Sequence, residues 1–331
     1  MIALFKQKSP ANIVILLIFG LLIKMPLFLY AKAIEAGVED GRLYHVILSF
    51  ITTEGKSNAL TCSTIAFMLL YGQALLINYL VNEQRMTTRQ TFLPAMSYLL
   101  VTSLLPDWNY LSAPLVASTL IIWTSIKVFK LYNATVASGV IFNIGLLIGV
   151  NSFIYFPSIA FLLCILLALM ILRPFRLNEF VLLILGILTP YYFYAVYLFL
   201  NDKFSLDNFL PTLLLQVPAV ENNIWIAAAI VFLGVPFLMG GYFIQAQLRK
   251  MLIQARKNWS ILLLYLFLSL LIPFVNSEAS LYNWVIVAAP FAAFHTCAYL
   301  YPKRNGVSLL LFFLTVAFIL FQQYGTPLWK N

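Results

Sequence analysis

The stretch Asn12-Ile-Val-Ile-Leu-Leu-Ile-Phe-Gly-Leu-Leu-Ile-Lys-Met-Pro-Leu-Phe-Leu-Tyr30 decides the fold. After Asn12 it is apolar except for Lys24, and a hydrocarbon core of about 30 Å takes about 20 such residues to cross as a helix. A basic start carrying Lys6 and Lys8 precedes it, and no small-residue cleavage site follows. It therefore reads as a first transmembrane helix and not as a removable signal.

The rest of the chain repeats the pattern. Of 331 residues, 63% are hydrophobic and 9% charged, against about 25% charged in a soluble domain. Apolar runs predict spans near 12–30, 59–81, 91–105, 111–128, 134–150, 153–172, 178–200, 223–246, 260–275, 281–300 and 307–323. The third is the shortest. The reading is an all-α, polytopic helical bundle of about eleven crossings, residues 1–331 forming a single transmembrane domain. Its sizeable outer loops are 31–58 and 201–222.

Loop charges orient the bundle, because cytoplasmic loops retain Lys and Arg. Alternate loops carry Lys6 and Lys8, Arg85 and Arg89, Lys127 and Lys130, Arg173 and Arg176, Arg249, Lys250, Arg256 and Lys257, then Lys303 and Arg304. The opposite loops hold only Lys32, Arg42, Lys56, Lys203 and Lys330, together with most of the acids. This places the N-terminus in the cytoplasm and the C-terminus in the periplasm of a bacterial inner membrane. The net charge of +9 thus reports topology. Basic residues scattered in pairs between apolar spans exclude a nucleic-acid partner.

Trp108, Trp225, Trp259 and Trp284 fall beside span ends and read as interfacial anchors. Cys62, Cys164 and Cys297 lie in apolar runs without CxxC or His-rich neighbours, which points to packing and away from disulfides or zinc. His295, with no acid one helical turn away, reads as a hydrogen-bonded packing residue. Glycines and prolines inside spans, such as Gly240, Pro157, Pro190 and Pro236, imply kinks or close helix contacts.

The most polar part of the first third is Ala31 to Leu60. After Gly41, the residues Leu43, Val46, Ile47 and Phe50 recur at helical spacing with Arg42, His45 and Ser49 between them, predicting an amphipathic helix on the membrane surface. Glu39 and Asp40 stand at its start. Acids there complement the positive end of the helix dipole; equally, one of them could act as a general base, or hold a metal, facing a lipid-linked substrate. Lys24 has two readings as well. It snorkels to the outer surface, or with Arg42 it neutralises the phosphate of a lipid lying between helices.

The order Ile-Lys-Met-Pro at Ile23 to Pro26, a short outer loop, then Glu39-Asp40-Gly-Arg-Leu-Tyr44 leading into a surface helix resembles the start of the polytopic GT-C glycosyltransferases. Here the tyrosine stands one residue farther from the acids than in the commonest spacing. The resemblance implies transfer of a sugar from a polyprenyl-phosphate carrier, with Asp40 or Glu39 as the base or as a ligand to a divalent cation. It also makes Lys24 and Arg42 phosphate contacts, and Tyr44 and His45 complete the substrate-binding set. Asp107, beside Trp108 after the third span, is the next candidate acid. As a whole the chain also looks like a group of Bacteroidota inner-membrane proteins, in Leu172-Arg-Pro-Phe-Arg-Leu177 and Leu188-Thr-Pro-Tyr-Tyr-Phe193, a likeness that implies no activity.

Arg173 and Arg176 fit the positive-inside pattern, and Glu179 is spaced to pair with Arg176 at i,i+3. The aromatic run Pro190 to Tyr197 either stacks on a sugar or sits at the membrane interface. Three functional classes remain: a transferase acting on a lipid-linked sugar, a non-catalytic membrane subunit with protein partners, and a transporter. The last is disfavoured because it is mainly Asn143, His295 and the more peripheral Lys24 that interrupt the apolar interior.

Overall fold

The fold was analysed in a computed structural model, which describes residues 2–34, 37, 40–53, 56–205, 224–275 and 281–325. It is a multi-pass helical membrane protein. The helices are α1 (Ile2–Phe5), α2 (Ala11–Ile23), α3 (Pro26–Leu29), α4 (Arg42–Ile51), α5 (Ala59–Glu83), α6 (Leu93–Ser103), α7 (Ala113–Phe129), α8 (Ser138–Ser152), α9 (Phe161–Leu172) and α10 (Leu177–Leu200). Beyond the 206–223 segment follow α11 (Ile224–Gln247), α12 (Ile253–Leu271), α13 (Ala288–Leu300) and α14 (Asn305–Leu320). After α4 the backbone of Thr52–Thr53 pairs antiparallel with Lys56–Ser57. Among the described residues, six helical segments are long and apolar enough to cross a bilayer: 59–83, 177–200, 224–250, 253–274, 281–300 and 306–324. α2 and α6 to α9 are apolar but shorter.

α6 is the hub. All 11 of its residues are buried, between α5 on one side and α13 on another, with α2 and α14 closing the ring. At about 1.5 Å per residue it is far shorter than the hydrocarbon core. The chain after it turns through a 3-10 helix, Pro106–Asn109, whose Trp108 and Asn109 are buried inside the protein. Non-helical backbone is tolerated near the bilayer only where protein shelters it. Similar 3-10 pieces, Phe156–Ala160, Ile272–Phe274 and Leu281–Val287, gather at the same end. Prolines 106, 157 and 273 in the first turns of three of them cannot donate to a helical ladder, so the regular helix stops there. We call this end the irregular rim.

α10 packs chiefly along α8. A Cβ on Gly145 would stand 2.2 Å from the Leu183 carbonyl oxygen, and one on Gly186 2.3 Å from that of Phe142. Only glycine lets two helix backbones approach so closely, the small-residue packing that membranes favour. The outward faces of α10 and α11 are apolar, with Leu238 69% and Tyr242 71% exposed. In water such faces would aggregate, whereas lipid covers them without penalty.

Two of the predicted anchors are corrected. Trp108 and Trp259 lie inside the bundle, 2% and 3% exposed, and their indole N–H groups donate to the carbonyls of Leu281 and Met86 at 2.9 and 3.0 Å. Carbonyls outside regular helix need donors, and tryptophan supplies them from an apolar body. Trp123 is instead the exposed indole, with the Lys127 ammonium 5.5 Å over its ring. The pairing of Glu179 is corrected too. It binds Arg173, at 2.8 Å, while Arg176 is exposed. Arg173 also donates to the Leu131 and Ala134 carbonyls at 3.1 and 2.7 Å, tying the α7–α8 turn to the start of α10. The three cysteines are buried. His295 is buried, and its Nε2 donates to the Leu233 carbonyl at 2.9 Å.

Candidate functional site

Lys24 ends α2, where Pro26 opens a new turn. Its side chain does not snorkel: it is 0% exposed. The ammonium donates to Thr102 Oγ1 at 3.0 Å and to Asn109 Oδ1. Thr102 sends its own hydroxyl hydrogen to the Tyr98 carbonyl at 2.9 Å, which leaves a lone pair for the lysine. Among the described residues no carboxylate lies within salt-bridge distance of Lys24. A protonated lysine has three hydrogens, and two are used.

Asp107 shares the 3-10 turn with Asn109. It is half-buried, and desolvation holds its carboxyl above the ordinary carboxylate value, with the Lys32 ammonium opposing the shift. Lys32 sits 4.9 Å over the Tyr110 ring. The early end of α6 is what places Asn109 against Lys24 and Asp107 at the rim.

The acidic segment is used differently. Glu39 lies outside the described residues. Asp40 Oδ2 accepts the Gly37 N–H at 2.9 Å, closing a local turn. Gly41 then lies against the break between α8 and the following 3-10 helix: the N–H groups of Gly41 and Leu43 donate to the carbonyls of Ile154 and Phe153, each at 2.9 Å. A Cβ on Gly41 would fall 2.1 Å from the Phe153 oxygen. The surface helix is thus fastened at its N-terminus by two backbone hydrogen bonds, which satisfy donors that a helix start leaves free.

α4 is amphipathic as expected, but the face it turns to the protein differs. Tyr44 and Leu48 are buried, while Val46 and Phe50 are 49% and 87% exposed. One apolar edge of the helix packs on the protein and the other stays exposed. Tyr44 is the residue this brings to the rim, close to Tyr282 of the 281–287 3-10 helix. The Tyr44 hydroxyl has no hydrogen-bond partner among the described residues, and burial, together with the nearby Asp40 carboxylate, pushes its pKa well up. His45 is exposed. Arg42 is drawn to α10, where it donates to the Tyr194 hydroxyl and lies 5.3 Å from the ring centroid.

The structure therefore joins Lys24 to Asn109 beside Asp107, sets Tyr44 near Asp40, and sends Arg42 to Tyr194. No hydrogen bond or ion pair among the described residues links Lys24 to Asp40 or Arg42. Thr102 and Asn109 were missed in the sequence; the early end of the third span and the proline after it were the available signal. Of the aromatic run, Tyr191 and Tyr194 pack on Phe153, while Tyr192, Phe193 and Tyr197 face outward, 61 to 66% exposed. Among the described residues no group of three His, Cys, Asp or Glu side chains could hold a metal ion. No family model, curated protein or solved structure matches the chain.

Proposed function

We propose that this multi-pass membrane protein is a transferase that takes a sugar from a polyprenyl-phosphate carrier at the irregular rim, in the manner of the GT-C enzymes it resembles. In this reading the chain crosses the bacterial inner membrane about eleven times, with its basic loops in the cytoplasm and the rim facing the periplasm. The observation that supports it most is Lys24: a lysine enclosed in the bundle, held by two neutral acceptors, with one donor direction left over. An ionisable group placed so in a membrane protein marks a functional site by default.

The roles follow from the groups present. Asp107, as carboxylate, takes the proton of the acceptor hydroxyl; that oxygen bonds to the anomeric carbon as the bond to the carrier phosphate breaks. The phosphate leaves with the electron pair, and Lys24 neutralises it. Because Lys24 is enclosed, the rim must open for the carrier to reach it. Asp40 is less available to a substrate than the sequence implied, since one of its oxygens accepts the Gly37 N–H.

A non-catalytic subunit is the competing reading. It is favoured by the same enclosure, since Lys24 also works as a cross-link between α2, α6 and the 106–109 turn. Binding of a polyprenyl phosphate to purified protein separates the two. Saturable binding that Lys24→Met weakens at least tenfold, with Asp107→Asn leaving it intact but inactive, supports the transferase. Absence of binding by monodisperse wild-type protein rejects it.

A further inference from the structure

On the membrane-facing side of the bundle a groove of about 740 Å³ runs from near the basic end toward the rim. Its floor is α12 from Ser260 to Leu270, one wall is Leu167, Met170 and Ile171 of α9, and Phe237 of α11 forms the other. The floor covers about 15 Å at 1.5 Å per residue, which is about one leaflet of a 30 Å hydrocarbon core. The apolar trough is thus the length of a single lipid tail region.

Where the trough ends, the lining changes character. A smaller cavity of about 380 Å³ shares Ile171 and Ser260 with it and adds Leu248, Ile253, Arg256 and Lys257. No acid lines this mouth. Arg256 is exposed, and Lys257 is steadied by the Tyr132 ring 5.2 Å away. Arg249 and Lys250 precede it in a 3-10 turn. α12 begins here as well, and its N-cap Leu252 offers no side-chain acceptor, so the positive end of the helix faces the mouth uncompensated.

We infer that this groove is a binding site for one anionic glycerophospholipid, its acyl chains in the α9–α11–α12 trough and its headgroup phosphate at Arg256 and Lys257. The occupant is fixed by charge and length together. A cationic mouth lined by no acid selects a net negative headgroup over a zwitterionic one, and the trough matches the tail region of one lipid in length. The site is separate from Lys24 and does not depend on the transferase reading.

Native mass spectrometry of the full chain, exchanged into mixed phosphatidylglycerol and phosphatidylcholine of identical chains, tests it. Wild-type protein should retain one phosphatidylglycerol in preference to phosphatidylcholine. Arg256→Gln with Lys257→Gln should lower that preference roughly tenfold or more, given what each cation near a membrane surface contributes. Arg85→Gln with Arg89→Gln, a basic pair in another loop of the same end, should leave it unchanged. Leu263→Trp, which fills the trough, should release the lipid while the melting temperature holds. Equal retention of the two lipids, an undiminished preference in the Arg256 and Lys257 variant, or displacement of the lipid by stoichiometric polyprenyl phosphate would overturn the assignment.

Discussion

Glu179 and Arg173 each become a liability once the other is removed. Both are buried, so Glu179→Gln strands a guanidinium, at a cost of about 3 kcal/mol or more. Arg173→Gln also removes the side-chain donor to the Leu131 and Ala134 carbonyls, and should lower the melting temperature in detergent further than Glu179→Gln does. The reverse order would show that the clamp on the α7–α8 turn contributes nothing. Asp107 makes a pH prediction. Burial raises its pKa above 3.8, so the folded state holds the proton more tightly than the unfolded chain. Its favourable contribution is complete at low pH and is lost as pH rises from 3.8 through the raised value. Stability of wild type relative to Asp107→Asn should fall across that interval; a flat difference would remove the basis for treating Asp107 as perturbed. If Asp107 is the base, transfer rate climbs over the same interval. The sequence showed that Lys24 and Asp107 were unusual but not what they touch, and it read Arg173 only as an ordinary basic residue of a cytoplasmic loop. Thr102 and Asn109 carry no pattern of their own, and the i,i+3 spacing of Arg176 and Glu179 was a local cue that a helix start beginning only at Leu177 overrode.

Helices in a membrane have two apolar sides, one for lipid and one for protein, so the periodicity that reveals burial in a soluble helix is erased. That is why the surface helix was legible and the hub was not. α4 carries polar residues along one side and so shows its amphipathic pattern, though the choice between the Tyr44–Leu48 edge and the Val46–Phe50 edge needed the neighbours. α6 looked like the weakest span and is the most enclosed element. The glycines of α8 announced close packing without naming α10. Gly186→Leu should part those two helices and sharply reduce the yield of folded protein, whereas Gly234→Leu, where nothing lies within 4 Å, should be accommodated. Gly41→Ala should leave the bundle folded and speed hydrogen exchange at the Leu43 amide. Unchanged exchange there would mean that the contact with Phe153 is not what fastens α4.

For the whole molecule, the multi-pass helical class was plain from composition, and the basic loops gave an orientation that labelling can check. In a background with its three cysteines replaced, a membrane-impermeant maleimide added outside intact cells should label Asn201→Cys and spare Gln90→Cys. Labelling of both, or of Gln90→Cys alone, would reject the proposed orientation. The hub has a further consequence for biogenesis. α6 leaves the ribosome well before α13 and α14, which later surround it. Too short to span by itself and carrying Ser97, Tyr98, Thr102 and Ser103, it has no stable home in lipid at that moment. It must wait, held at the insertion machinery or at the interface, until the C-terminal third is made. Chains truncated before α13 should therefore be degraded, even though the helices they contain are apolar enough to insert.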